Sequence, residues 1–178
     1  MSHPLIAAAA FGGLLALTVS ASAHITLEKP EAPVASGYKA VFRVPHGCSG
    51  APTVAIKIQI PAGVISVKPQ PKPGWQIATV KGKYDKPYTY YGNTLSEGVT
   101  EVDFTGGNLP DDFYDEFVFN TFLTDSLTPG AMLYFPVVQE CPGVTERWIE
   151  IPAEGKVSDD YQTPAPGLHL LEKAASDD

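Results

Sequence analysis

Cysteine is scarce in this 178-residue chain: Cys48 and Cys141 are the only two, and neither belongs to a C-x-x-C pair. That spacing argues against a thiolate-ligated metal site. In an exported protein it leaves one disulfide as the simplest use of the pair. Closing a loop of about 90 residues would stabilise the fold by about 4–5 kcal/mol in the chain-entropy description. Positive charge is also short, 12 Lys and Arg against 20 Asp and Glu for a formal net charge of −8. That balance argues against nucleic acid or an anionic membrane as partner and mildly favours attraction of cations. No G-x-S-x-G elbow, no His/Asp/Ser constellation, no internal repeat and no long helical period stands out, which disfavours a hydrolase and a helical fold. The one long apolar run, residues 5–19, is shorter than the roughly 20 residues a membrane-spanning helix needs, and no basic stop-transfer flank follows it.

What is present begins with that run. It leads into Ala21-Ser22-Ala23, small residues at the −3 and −1 positions of a signal-peptidase site, although the segment before it carries no Lys or Arg. Residues 1–23 therefore read as a signal peptide, with the mature protein starting at His24 in the periplasm or outside the cell. The mature chain of 178 − 23 = 155 residues suffices for one domain with its own core. A histidine with a free amine is a chelator, because its α-amino nitrogen and imidazole Nδ1 can close a small unstrained ring on one ion. Copper(II), which favours tetragonal nitrogen and oxygen ligands and tops the divalent affinity order, is best served by it. Two carboxylates follow closely. In an extended strand Glu28 would share a face with His24 but lie about 13 Å away. Glu31, beyond Pro30, sits where the chain can fold back, so it is the easier oxygen ligand. Either is otherwise a solvated surface carboxylate. His46, in the turn-rich His46-Gly47-Cys48-Ser49-Gly50, is a hydrogen-bonding loop residue or an additional ligand.

Further along, short alternating segments predict strands over 25–28, 38–45, 53–60, 64–67, 75–80, 99–105 and 144–151. Trp75, opening its strand after Pro73-Gly74, is expected to plug one end of the core, and Gly92-Asn93 to turn a tyrosine-rich hairpin. Gly106-Gly107-Asn108 reads as loop. Phe113, Phe117 and Phe119 are assigned to the aromatic part of the core, and residues 131–138 to one strand covered on both faces. In the last strand Glu146, Trp148 and Glu150 share the wetter face, with Arg147, Ile149 and Ile151 opposite. The fold class is all-β: one domain over 24–152, an antiparallel β-sandwich of the immunoglobulin or fibronectin kind. Its end loops would collect His24, Glu31, His46 and the disulfide, and a loosely attached tail would run over 153–178.

Several stretches together resemble the YcnI-like copper-binding domain family of exported bacterial proteins: Ala-His-Ile-Thr-Leu at the cleavage point, residues 38–48, Pro73-Gly74-Trp75, and Trp148 in a late strand. The resemblance covers essentially the whole mature chain. It implies one copper(II) per chain, held by a mono-histidine brace that falls on His24, Glu31 and Trp148. The Cys48–Cys141 pair and the His46-Gly47-Cys48 turn set this chain apart within such a family, leaving room for Glu28 or His46 as ligands. Delivery or storage of copper follows, with a membrane copper transporter or a second periplasmic copper chaperone as partner. The rival readings are a copper-dependent oxidative enzyme, which needs a second histidine from His46 or His169, and a surface interaction module in which His24 is incidental.

Overall fold

The computed structural model describes residues 24–175; the signal peptide expected over 1–23 lies outside the described residues. Three sheets make up the fold. The first runs β1 (Thr26–Leu27), β3 (Ser36–Val44), β8 (Asp115–Leu123), β5 (Val64–Pro69) from edge to edge. The second runs β11 (Val144–Trp148), β10 (Val137–Cys141), β4 (Thr53–Gln59), β7 (Asn93–Leu109), β6 (Gln76–Tyr90). A third, smaller sheet sets β12 (Gly167–Leu171) between β2 (Glu31–Pro33) and β9 (Met132–Tyr134). Every pairing is antiparallel except β2 with β12. One 3-10 turn, Ser158–Asp160, is the only helical element among the described residues. The expected all-β sandwich is the observed one.

Period-two alternation explains why these segments pair as they do. In β3, Tyr38, Ala40, Phe42 and Val44 are buried while Lys39 and Arg43 face water. Ile56 and Ile58 of β4, Val102 and Phe104 of β7, and Phe117 and Phe119 of β8 are fully buried in the same core. Phe104 and Phe117 meet edge to face at 5.2 Å, as do Phe42 and Phe135 at 5.5 Å. Each such ring contributes about 1.5–3 kcal/mol by leaving water. Trp75 stands edge-on to Phe117 at 4.8 Å and fits only because Gly107 has no side chain: a Cβ there would lie 2.1 Å from the indole.

Five expectations need correction. The apolar run 131–138 is two strands in different sheets, β9 and β10, because Pro136 has no N–H to donate and the chain changes sheet there. Phe113 is exposed, since residues 110–113 form a turn closed by Phe113 N–H donating to Pro110 O at 3.1 Å. The stretch 106–108 is not a loop: β7 runs on to Leu109, absorbing Gly106 (φ +73°) where its register with β4 shifts. The hairpin tip is Tyr91-Gly92, with φ of 45° and 77°, so Tyr90 pairs with Asn93. The supposed tail is ordered well past Pro152, because Leu168 and Leu170 alternate into the core on β12.

Candidate metal centre

His24 sits at the junction of the two large sheets. It precedes β1, an edge of the first sheet, and its ring meets the indole of Trp148 at the end of β11, an edge of the second. The ring centroids are 5.9 Å apart at 64°, an edge contact. Alternation sets the direction of His24: Ile25 and Leu27 are buried in the core, so the intervening residues point outward.

Trp148 is buried, at 5% exposure, whereas Ile149 and Ile151 are 44% and 59% exposed. The expected face assignment is thus reversed. β11 ends at Trp148, and the indole turns inward because its N–H finds a partner there. Trp148 Nε1 donates to Gln139 Oε1 at 2.9 Å, and Gln139 Nε2 donates to Thr53 Oγ1 at 2.7 Å and to the His46 carbonyl at 2.9 Å. Gln139 and Thr53 are themselves buried, so the network ties the indole to the loop that carries the disulfide. Cys48 and Cys141 are bonded, as expected, and bonds of this kind persist in oxidising, extracytoplasmic surroundings.

The two carboxylates separate cleanly. Glu28 N–H donates to Val41 O at 3.0 Å, and Glu28 does not line the concavity that holds Glu31. Burial, with the Glu28 charge adding to it, pushes the Tyr38 phenol well above its ordinary pKa. Tyr38 Oη donates to Lys29 O at 2.7 Å and so fixes the turn that follows Glu28. Beyond that turn β2 starts at Glu31, and Pro30 O accepts from His169 N at 2.8 Å. An open concavity of about 480 Å³ results, lined by His24, Glu31, Met132 and His169 among others, and not by Glu28.

His46 is elsewhere. Its Nδ1 lies 2.5 Å from Gly47 O and 4.0 Å from Asp111 Oδ1, and it does not line the His24 concavity. His169, assigned to a loose tail, does line it. The overlooked signal was the alternation Gly167-Leu168-His169-Leu170, a strand pattern embedded in tail-like composition. Met132 was hidden for a different reason, inside an apolar run where methionine reads as core.

An imidazole and a carboxylate facing one open cavity fit a divalent ion of nitrogen and oxygen preference. Among the described residues no group of three His, Cys, Asp or Glu side chains is placed to hold a metal. A chelate that draws two nitrogens from one residue needs no such group.

Comparison with known proteins agrees with the architecture. A solved structure described as an uncharacterized protein from Nocardia farcinica with an immunoglobulin-like fold superposes with a TM-score of 0.63 at 24% identity. The match covers 84% of this chain and 99% of that one, and at this identity it bears on fold alone. No curated protein matches the chain. Residues 24–170 match the family described as Domain of unknown function (DUF1775), a span that opens on His24 and closes on β12. The chain belongs to that family.

Proposed function

We propose that the mature protein is an exported copper(II)-binding protein. The α-amine and imidazole of His24 chelate the ion, and Glu31 supplies the carboxylate. The observation that carries this reading is the placement of Glu31, and not Glu28, in the concavity that His24 lines. YcnI-like proteins belong to the same family, and the copper assignment comes from the sequence resemblance to them.

Each residue then has a separate task. His24 brings two nitrogens already joined, so little ordering entropy is lost when the second binds. Glu31, exposed at the mouth of the concavity, offsets one positive charge of the ion. Trp148, held by Gln139, backs the His24 ring and limits its rotation. The amine must lose its proton before it ligates, so affinity falls with acid below the ordinary α-amino pKa of about 7.7–8.0. An acidic surface favours cation capture outside the cytoplasm, and the role is copper trafficking in the periplasm rather than catalysis. Its partners are a membrane copper transporter or a periplasmic copper chaperone, not nucleic acid.

Competition titration of copper(II) against protein starting at His24 tests the reading. It predicts one ion per chain, lost in His24→Ala. Copper(II) affinity unchanged in His24→Ala contradicts it. One observation favours a second reading: His169 in the concavity is the second histidine that a copper-dependent oxidative enzyme requires. Sustained dioxygen consumption with ascorbate by the copper-loaded protein would select that reading over a carrier.

A further inference from the structure

The third sheet lays out a row of side chains beside His24. His169 on β12 is in register with Glu31 on β2 and with Met132 on β9. Residues directly paired on adjacent strands project to one face, with Cβ atoms about 5 Å apart. Burial identifies that face as the outer one. Ala32, Leu168 and Leu170 are buried, whereas Glu31 and Met132 are exposed and His169 is half-buried. Gly167 lies two residues from His169 on the same face, and a Cβ there would come within 2.6 Å of the Met132 methyl carbon. The absent side chain lets Met132 lie across β12. Glu31, Met132, Gly167 and His169 line the concavity that His24 opens into.

A methionine 45% exposed at the mouth of a cavity, next to a histidine, is poorly used as packing. A thioether is a soft ligand that favours copper(I) and adds little to a copper(II) chelate of amine, imidazole and carboxylate. We propose that Met132 and His169 form a copper(I)-binding pair adjoining the His24 chelate. One concavity thereby accepts the ion in either oxidation state through different donors. No electron transfer is implied; each state is bound as it arrives. The proposal rests on the copper reading given above, and its test separates the two.

Met132 is also an unambiguous reporter. Met1 and Met132 are the only methionines, Met1 leaves with the signal peptide, and both cysteines are in the disulfide. Any sulfur ligand of thioether type must therefore be Met132. Copper K-edge X-ray absorption on the anaerobic copper(I) form of protein starting at His24 is expected to show one sulfur neighbour, absent in Met132→Leu. In competition with bicinchoninate, the copper(I) Kd should rise about tenfold or more in Met132→Leu and in His169→Gln. The copper(II) EPR spectrum of Met132→Leu should be unchanged. A shell of nitrogen and oxygen alone in the unsubstituted protein, or an unchanged copper(I) Kd in Met132→Leu, overturns the proposal. If sulfur-ligated copper(I) is found while copper(II) shows no N-terminal chelate, the pair stands and the His24 reading fails.

Discussion

Trp148→Phe isolates the buried network behind the candidate site. Phenylalanine retains an apolar ring at a position 5% exposed but deletes the N–H that Gln139 Oε1 accepts at 2.9 Å. Gln139 is 1% exposed, and its amide nitrogen is already committed to Thr53 Oγ1 and the His46 carbonyl, so it cannot swing out to water without breaking both bonds. An acceptor stranded this way costs about 1–3 kcal/mol, and the smaller ring adds a cavity contribution, for a total of about 2–4 kcal/mol. For a domain of this size that corresponds to a Tm lower by about 5–12 °C. Urea and thermal unfolding of the mature protein with the disulfide intact measure it. A loss under about 0.5 kcal/mol, the level of an ordinary surface change, would refute the reasoning.

Three further outcomes follow from the same geometry. Glu31→Gln should weaken copper(II) binding about tenfold or more while Glu28→Gln stays within about twofold, read by the same competition titration; equal effects would remove the distinction between them. Replacing both Cys48 and Cys141 by Ser should cost about 4–5 kcal/mol in urea unfolding, because the bond closes a long loop in the unfolded chain. Tyr88, buried and donating to Asp85 at 2.5 Å, has its pKa pushed up to about 12, first by burial and then by that carboxylate. The folded state therefore retains its proton longer than the unfolded chain does. Its stabilising effect is complete below about pH 10 and is lost as pH rises from there towards 12. Tyr88→Phe should flatten that alkaline decline, as measured by stability against pH.

The sandwich was legible because its central strands carry period-two patterns: Tyr38, Ala40, Phe42 and Val44, or Val102 and Phe104, can be buried together only on a strand. Strand ends and faces were less legible where a single contact decides them. Trp148 sits among Glu146 and Glu150 and reads as wet, yet the hydrogen bond its indole N–H donates to Gln139 and the ring of His24 turn it inward. In the site, His24 was visible from its position after Ala23. The choice of Glu31 depends on the Tyr38 bond to Lys29 and on the pairing of β2 with β12, the second a contact across more than 130 residues that no local pattern encodes. His169 and Met132 needed the third sheet to become neighbours at all.

The central claim is that the free amine of His24 is a ligand, and it is tested most directly by two proteins that differ by one residue. One begins at His24; the other carries a single Gly before it, which converts that amine to an amide and leaves the imidazole, Glu31 and the core in place. Copper(II) titration followed by EPR is predicted to give a tight one-to-one tetragonal spectrum with nitrogen couplings for the first, and loss of that spectrum for the second. Equal spectra and equal affinities in the two proteins would contradict the claim.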